Sequence, residues 1–352
     1  MTMIDAVAAA SGPAEEGEVG YTRRDACAYA LGVGCRASEA AERRYVWPYA
    51  SGGGGGGGPP TLPTFVLALA FRGDEEAGRA SAAASGSASA SASAPASFPP
   101  RGLLPGFPEG LAPPGALVHA EQWLEVLRPL AGAGRVRMSA RTLAVRAMRA
   151  GALWETETLV RDARDDALCA RMLSSTIVLG LRGFSPGERE GTAGSGSPLR
   201  KAAAAAALAG APPGPPDAAV DLATSADQAA LYALSGDGNP LHVDPDVAKA
   251  AGFDRPILHG LCTLGFAVRA VLGAFGVLED PQALRAVHVR FASPVFPGET
   301  LRTRMWRIGG GEGAGAGASG MVAFETVVPE RGDIVVLSRG VCCIASVPQS
   351  RL

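Results

Sequence analysis

Alternating apolar and polar positions predict antiparallel strands in both halves of the chain. Residues 135–141 place arginines on one side and apolar or small residues on the other, as in a half-buried strand. The strand pattern recurs in the second half at residues 301–306, 321–328 and 334–344. The chain is therefore expected to end each half in a run of strands.

A helix candidate precedes the strands in each half. Apolar stretches that contain or follow proline predict helices at residues 62–71 and 257–272. Further upstream, the related segments YALG at 29–32 and YALSG at 232–236 each close another helical stretch. Helices followed by several strands, in the same order twice, predict a duplicated α+β unit.

Low-complexity segments divide the chain into these units. Such segments cannot bury enough apolar surface to offset the entropy lost on ordering, so we expect disordered inserts and linkers there. The expected organisation is a flexible N-terminus (1–17), an N-terminal unit (18–188) with inserts near 51–60 and 73–101, a linker (189–217), a C-terminal unit (218–347) with a further Gly/Ala tract at 309–320, and a tail (348–352).

Composition excludes several classes of function. The formal net charge is −2, which gives no electrostatic footprint for nucleic acid. No apolar run reaches the roughly 18 residues needed to span a bilayer. The N-terminus lacks the basic region of a secretory signal, and the six cysteines show no disulfide or zinc spacing. We expect a soluble protein of a reducing intracellular compartment.

The chemistry is concentrated in one turn of the second half. The segment GDGNPLHVDP at 236–245 holds two glycines and two prolines and carries Asp237, Asn239 and His242. Asn239 is the only asparagine in the chain, and His242 is one of four histidines. A carboxylate and an imidazole in one turn suit general acid–base catalysis, although an Asp-Gly pair also fits plain turn chemistry. One His and one Asp without a nearby Cys do not predict a metal site.

A second candidate lies at the start of the apolar helix. Gly260 there exposes backbone N–H groups, and the positive end of the helix would favour a developing oxyanion. Close helix packing at Gly260, and a packed core role for His259, explain the same residues without a ligand. Cys262 is expected to be a small core residue, since no base stands beside it.

These segments resemble a known family. YALSGDGNPLH at 232–242, GFDRPILHGLCT at 252–263 and RFASPVFPGET at 290–300 resemble type 2 enoyl-CoA hydratases, MaoC-like hydratases of the hot-dog superfamily. The first half fits through YTRRDACAYALGVG at 21–34 and HAEQWL at 119–124. The resemblance covers both ordered units and leaves out the low-complexity segments.

The resemblance implies a double hot-dog, in which each unit wraps an antiparallel sheet around a long helix. It implies hydration of trans-2-enoyl-CoA to (3R)-3-hydroxyacyl-CoA in β-oxidation or related acyl-CoA metabolism. Asp237 and His242 would hold the water and act as acid/base pair, Asn239 would support them, and the Gly260 N–H would polarise the thioester. The N-terminal unit, with Gly-Val-Gly at 32–34 instead of the turn, would be non-catalytic and accommodate the acyl chain.

Other expectations concern the substrate and partners. His259, Arg255 and Arg290 are candidate substrate-binding residues, the two arginines for the phosphates of coenzyme A. No cofactor or metal is expected, because coenzyme A is part of the substrate. The family implies a homodimer. Ser350-Arg351-Leu352 is a variant of the Ser-Lys-Leu address read by the peroxisomal import receptor, so we expect peroxisomal rather than cytoplasmic localisation.

Three alternatives remain open from the sequence. The same chemistry run backwards would make the protein a (3R)-3-hydroxyacyl-thioester dehydratase acting on acyl carrier protein. A non-catalytic acyl-CoA binding protein could use the same fold, although it would not need the acid/base pair. A thioesterase of the same superfamily would not normally carry this turn. Many eukaryotic members of the family are domains of a larger multifunctional protein, whereas this chain shows no dinucleotide fingerprint and is expected to be free-standing.

Overall fold

The computed structural model describes residues 12–49, 60–72, 103–107, 116–181, 187–188, 198–308 and 320–345. Almost all of the expected inserts and all of the tail lie outside these residues. The strands are β1 Glu15–Tyr21, β2 Leu117–Val126, β3 Gly134–Met148, β4 Gly151–Asp162, β5 Leu168–Leu179, β6 Gly187–Glu188, β7 Ala218–Ala223, β8 Leu284–Phe291, β9 Thr300–Ile308, β10 Gly320–Val328 and β11 Ile334–Ile344. The helices are α1 Arg23–Gly32, α2 Arg43–Val46, α3 Phe65–Leu69, α4 Pro198–Ala209, α5 Gln228–Ala233, α6 Pro245–Ala250 and α7 Gly260–Ala274, with 3-10 turns at Pro240–His242 and Pro329–Arg331.

One continuous sheet contains the same strand order twice. The order is β1-β3-β4-β5-β2-β8-β11-β10-β9-β7, with β6 at the edge of β3. The first five strands and the last five, counted inward from each edge, run in the same sequence order, and every pairing is antiparallel. The two halves join where β2 pairs with β8. This repetition is the architecture that the duplicated pattern predicts.

The central helices differ in length between the two halves. In the second half, α7 has fifteen residues and nearly all of them are buried, so it forms the centre of the core. The predicted helix at 257–272 starts three residues late, because the Leu258 N–H donates to Val295 O (2.7 Å) and holds this segment extended. In the first half, the predicted helix at 62–71 is reduced to the five residues of α3. Less helix on this side leaves space beside the sheet.

Two sequence predictions are wrong in detail. The expected flexible terminus at 1–17 overlaps β1, because residues 15–17 pair with β3. The expected disordered linker at 189–217 contains α4, where Ala203 and Ala207 are fully buried against Trp123 and Val341 on the outer face of the sheet. The prediction of disorder from low-complexity composition failed here because small alanine side chains let a helix lie close to the sheet.

The helices α1 and α5 hold the two halves together beside the site. A Cβ added to Gly32 would lie 3.1 Å from the Tyr232 Cα, so the backbones touch where the YALG and YALSG segments meet. The Gln228 side chain donates to Gly32 O (2.6 Å) and accepts from the Ser225 N–H (3.2 Å). Buried Arg269 of α7 pairs with Glu42 of the first half. None of the described helices is long and apolar enough to cross a membrane.

Candidate active site

The turn after α5 holds its two side-chain acceptors by local hydrogen bonds. Asp237 Oδ1 accepts from the Asn239 N–H (3.2 Å), and Asn239 Oδ1 accepts from the Leu241 N–H (3.1 Å). Asn239 thereby caps the 3-10 turn that positions His242. An asparagine suits this place because its short amide closes the turn without adding a charge. The turn is thus a rigid support for Asp237 and His242.

The tautomer of His242 follows from one hydrogen bond. Its Nδ1 lies 2.8 Å from Ile257 O, and a carbonyl can only accept, so Nδ1 carries the hydrogen. When the ring is neutral, Nε2 therefore has a free lone pair. His242 lines the cavity described below, so this nitrogen is available as a proton acceptor.

His259 packs against both Asp237 and His242. Its ring stacks on His242, with centroids 3.7 Å apart and planes 28° apart. Its Nε2 lies 3.4 Å from Asp237 O and 4.0 Å from Asp237 Oδ2, and the residue is 1% exposed. Such burial leaves little of His259 for a substrate to contact, although the residue borders the cavity. The predicted substrate-binding role therefore has less support than a packing role.

Gly260 is the first residue of α7 and lines the cavity. No side chain caps this helix end. A Cβ at Gly260 would meet the Phe291 ring at 3.1 Å, so the aromatic ring covers the place that a side chain would fill. The first N–H groups of a helix have no partner within it. Gly260 can therefore donate to an oxygen bound beside Phe291.

Burial shifts the protonation of the three ionisable groups in opposite directions. Desolvation raises the pKa of Asp237 from 3.8 to about 7, and the Asn239 N–H opposes this only in part. Desolvation lowers the pKa of His242 to about 4, and it holds the pKa of His259 well below its usual value, with a further contribution from His242. Between about pH 4 and pH 7 the site therefore holds a protonated carboxyl group beside neutral imidazoles.

A cavity of about 230 Å³ joins these groups to the first half of the chain. Its second-half wall contains all five predicted residues of the turn and the helix start: Asp237, Asn239, His242, His259 and Gly260. Its first-half wall is contributed by Phe71, Leu103, Leu117, Val118, His119 and Thr176. The lining of this cavity therefore comes from both units.

The two candidate arginines lie in different places. Arg255 is exposed, and its guanidinium lies 4.7 Å from the centre of the Phe296 ring, next to cavity residues Pro294 and Val295. Arg290 is exposed on β8 directly before Phe291, which faces the cavity. Successive strand residues point to opposite faces, so Arg290 points away from the cavity. Neither arginine lines the cavity, but Arg255 lies in the chain between the lining residues Phe253 and Ile257, at the rim of the site.

The turn of the first half lacks this chemistry. At residues 32–34, Gly34 has φ +80°, and a Cβ there would lie 2.4 Å from the Phe266 ring of α7. The Phe266 ring thus packs against residues 32–34 of the first unit. These residues contain neither an acidic group nor an imidazole. That the N-terminal unit is non-catalytic stays a prediction.

The wall residues that were not assigned from the sequence include His119, Thr176 and Phe291. His119 and Thr176 are partners on neighbouring strands β2 and β5, and Phe291 ends β8. His119 stood in a segment that carries the family resemblance and is one of the four histidines, which was the available signal. Its place beside Phe291 (ring centroids 4.7 Å apart) depends on the β2–β8 pairing, which sequence patterns do not show.

The three ionisable groups also satisfy the distance requirement for a metal site. Ligand atoms of Asp237, His242 and His259 all lie within 4.8 Å of one another. However, lone pairs lie in the planes of the imidazole rings, and two stacked planes 28° apart do not meet within the roughly 2 Å length of a metal–nitrogen bond. The arrangement fits proton transfer better than metal binding.

Comparison with known proteins places the chain in a family. The model of the MaoC like domain matches residues 208–325. The chain is 32% identical over 320 residues to Enoyl-CoA hydratase 2, peroxisomal, of Arabidopsis thaliana, covering 90% of this chain and 88% of the relative. It is 34% identical over 316 residues to Peroxisomal multifunctional enzyme type 2 of Mus musculus, covering 90% of this chain but only 35% of that protein. The chain thus spans about a third of the mouse protein.

Solved structures support the same placement. The crystal structure of a MaoC-like dehydratase from Phytophthora capsici is 30% identical, with a TM-score of 0.69 over 94% of this chain and 95% of that one. A Mycobacterium tuberculosis protein described as a double hotdog fold is 14% identical, with a TM-score of 0.50 over 95% of this chain and 96% of that one. The fold is a double hot-dog, and the chain belongs to the MaoC-like family that includes enoyl-CoA hydratase 2.

Proposed function

We propose that the chain hydrates trans-2-enoyl-CoA to (3R)-3-hydroxyacyl-CoA in fatty-acid β-oxidation. The observation that carries the proposal is one cavity in which Asp237, His242 and the Gly260 N–H converge. The Arabidopsis relative, matched over most of its length, is named an enoyl-CoA hydratase 2. We propose the (3R) configuration of the product because of the similarity to this relative. The chain is a hydro-lyase on this proposal.

The reaction follows from the protonation states. The thioester oxygen accepts from the Gly260 N–H, which stabilises the enolate that forms when water attacks C3. His242 Nε2 takes a proton from the attacking water as the O–C3 bond forms, and the protonated Asp237 carboxyl donates a proton to C2 as the C2–H bond forms. The proton then passes from His242 to Asp237, which restores both groups. Since both act from one wall of the cavity, addition is syn.

The carrier is proposed to be coenzyme A rather than acyl carrier protein. Arg255 at the cavity rim is a cation without an ion-pair partner among the described residues, and its side chain can contact a phosphate group. The first-half wall is mostly apolar and suits the acyl chain, as the resemblance implies. Coenzyme A then enters only as part of the substrate, and we propose that no cofactor or metal is needed. Activity should survive incubation with EDTA and gel filtration.

Localisation and assembly extend the proposal. The mouse and Arabidopsis relatives are named peroxisomal. Together with Ser350-Arg351-Leu352, this supports import into peroxisomes through the receptor that reads C-terminal tripeptides. Deleting the tripeptide from a fluorescent fusion should move it to the cytoplasm. The proposed homodimer is tested by light scattering of the purified chain.

The decisive test is loss of the enoyl-thioester absorbance on adding purified protein to trans-2-enoyl-CoA, with chiral analysis of the product. Asp237→Asn and His242→Gln should each reduce turnover by roughly 100-fold or more, the usual contribution of general acid–base groups. His288→Gln is the matched control, because His288 lies on β8 outside the cavity. Formation of the (3S) alcohol, or near-normal turnover by folded Asp237→Asn, would refute the proposal. Activity confined to acyl carrier protein substrates would favour the dehydratase alternative.

A further inference from the structure

The cavity borders a short segment of the first half, residues 103–107. Leu103 and Leu117 line the cavity, and both also pack against a second hydrophobic cluster. The fully or almost fully buried members of that cluster are Leu104, Val145, Ala152 and Trp154. Phe107 meets the Trp154 ring edge-on, with the ring centroids 5.3 Å apart. Leu103 and Leu117 therefore form the partition between the cavity and this cluster.

One row of cross-strand neighbours runs along both the cavity and the cluster. The His119 ring on β2 contacts the Phe291 ring at the end of β8. His119 is the register partner of Thr176 on β5, and Thr176 is the register partner of Trp154 on β4. Directly opposed strand residues point to the same face of a sheet. The first three of these residues line the cavity, whereas Trp154 is fully buried. The cavity would therefore continue over Trp154 if residues 103–107 did not fill that space.

Hydrogen bonds from two strands hold this segment in place. The Thr156 hydroxyl of β4 donates to Leu103 O (3.3 Å), and the Thr142 hydroxyl of β3 donates to Pro105 O (2.6 Å). Thr142 also accepts from the Trp154 indole N–H (2.8 Å), so this buried donor is satisfied within the protein. These bonds fix Leu103 at the end of the cavity, and its side chain forms a wall there.

The position of Leu103 in the sheet gives the length of the space for an acyl chain. Phe291 of β8 covers Gly260, the proposed oxyanion donor, and Leu103 is bonded to β4, with β2 and β5 between these strands. Neighbouring strands lie about 4.8 Å apart, so two to three strand spacings correspond to roughly 10–14 Å. An extended chain advances roughly 1.2 Å per bond, so about 8 to 12 carbons fill this distance.

We propose that Leu103 sets the upper limit on the length of the acyl chain, so that the substrates are enoyl-CoA thioesters of short to medium chain length. The inference rests on the proposed hydratase function and deepens it by naming the substrate class. Each methylene added to a short chain becomes buried on the apolar wall, whereas a chain that is too long meets the Leu103 side chain. Leu103 lies away from the reacting carbons and therefore determines specificity rather than chemistry.

The test measures kcat/KM for straight-chain trans-2-enoyl-CoA of four to eighteen carbons. In the wild-type protein kcat/KM should rise by up to about fourfold with each added methylene, the usual gain from burying one, and fall beyond roughly 12 carbons. Leu103→Ala shortens the wall residue and should move the maximum to chains about two carbons longer. Leu103→Phe should move the maximum to shorter chains. Leu130→Ala is the matched control, because Leu130 is a partly buried leucine of the first half that does not line the cavity, and it should leave the maximum in place.

The outcomes separate this inference from the proposed function. If the chains are hydrated but the maximum is the same in Leu103→Ala as in the wild-type protein, the inference is refuted and the hydratase function stands. The inference is also refuted if kcat/KM of the wild-type protein keeps rising to eighteen carbons, or if Leu130→Ala moves the maximum as far as Leu103→Ala does. If no chain is hydrated, the proposed function itself fails. Thermal melting confirms that each variant is folded, and Leu103→Phe provides a second test should Leu103→Ala not fold.

Discussion

The imidazole ring of His259 lies face to face with that of His242, with ring centroids 3.7 Å apart. The contact connects the start of α7 to the turn that carries Asp237 and His242. Because His259 also directly precedes Gly260, one buried ring packs beside both the proposed proton-transfer groups and the proposed oxyanion donor. On the proposed mechanism, His259 is a positioning residue that need not touch the substrate.

Stacking rather than hydrogen bonding should account for this role, because the contact from His259 Nε2 to Asp237 O is long at 3.4 Å. We expect His259→Phe, which keeps a ring, to retain kcat within about threefold. His259→Gln keeps a donor but no ring and should lose about 2- to 10-fold in kcat, the equivalent of the roughly 0.5–1.5 kcal/mol of an aromatic pair. Steady-state kinetics on both variants provide the measurement. A Gln variant more active than the Phe variant would contradict this view.

The acid/base pair should give a bell-shaped pH profile of kcat/KM. Reaction needs neutral His242, which is lost below about pH 4, and protonated Asp237, which is lost above about pH 7. These limbs belong to the coupled pair rather than to single residues. Initial rates in buffers from pH 3.5 to 9 test this prediction. A kcat/KM that keeps rising from pH 7 to 9 would show that ionised Asp237 is the base instead.

The buried Asp237 should also make the native protein less stable at high pH. Its pKa is raised from 3.8 in the unfolded chain to about 7 in the folded state, so the unfolded state ionises first and stability falls as the pH rises from about 4 to about 7. Asp237→Asn removes this cost and keeps the acceptor for the Asn239 N–H. At ~1.36 kcal/mol per pKa unit, the variant should gain up to ~4 kcal/mol in free energy of unfolding at pH 8, and little at pH 4.

Urea denaturation at both pH values measures this gain. Asp244→Asn is the control, because Asp244 is an exposed helix N-cap and asparagine caps equally well. An equal gain from the two variants, or a gain from Asp237→Asn that does not change with pH, would contradict the burial explanation.

Local sequence signals predict the turn at 236–245 better than they predict the packing around it. This turn is predictable because Gly, Pro, Asp and Asn determine backbone geometry over a few residues. At its end, Asp244 caps α6 and Pro245 is the first residue of that helix. The wall residues His119 and Phe291 meet only because β2 pairs with β8, far apart in sequence. Whether Arg290 points into the cavity depends on which face of β8 forms the cavity wall. The alternation of residues along β8 does not by itself specify that face.

The two arginines provide a direct test of the carrier. Arg255→Ala should raise KM for enoyl-CoA by roughly 5-fold, because a charge-assisted hydrogen bond at an exposed rim contributes about 1 kcal/mol, and it should leave enoyl-pantetheine, which lacks the phosphates of the nucleotide, unaffected. Arg290→Ala should change neither, because its side chain points away from the cavity. Equal effects of Arg255→Ala on both substrates would show that Arg255 does not contact those phosphates.

At Gly236 the first half of the chain packs closely against the turn that carries Asp237 and His242. It has φ +124°, and an added Cβ would lie 2.4 Å from Arg72 Cγ, while Arg72 is held by an ion pair with Asp25 (3.0 Å). Gly236→Ala should lower the free energy of unfolding by about 1–3 kcal/mol through backbone strain alone, and more through the clash. It should also lower kcat, because Asp237 must move.

Gly298→Ala separates these two causes. Gly298 has φ +96°, and nothing lies within 4 Å of an added Cβ, so only backbone strain applies there. The excess loss in Gly236→Ala over Gly298→Ala, measured by urea denaturation, is the contribution of the Arg72 contact. The double variant Gly236→Ala with Arg72→Ala should recover part of that excess, because removing the Arg72 side chain beyond Cβ removes the clash. If the double variant recovers no stability, Arg72 does not explain the need for glycine at this position.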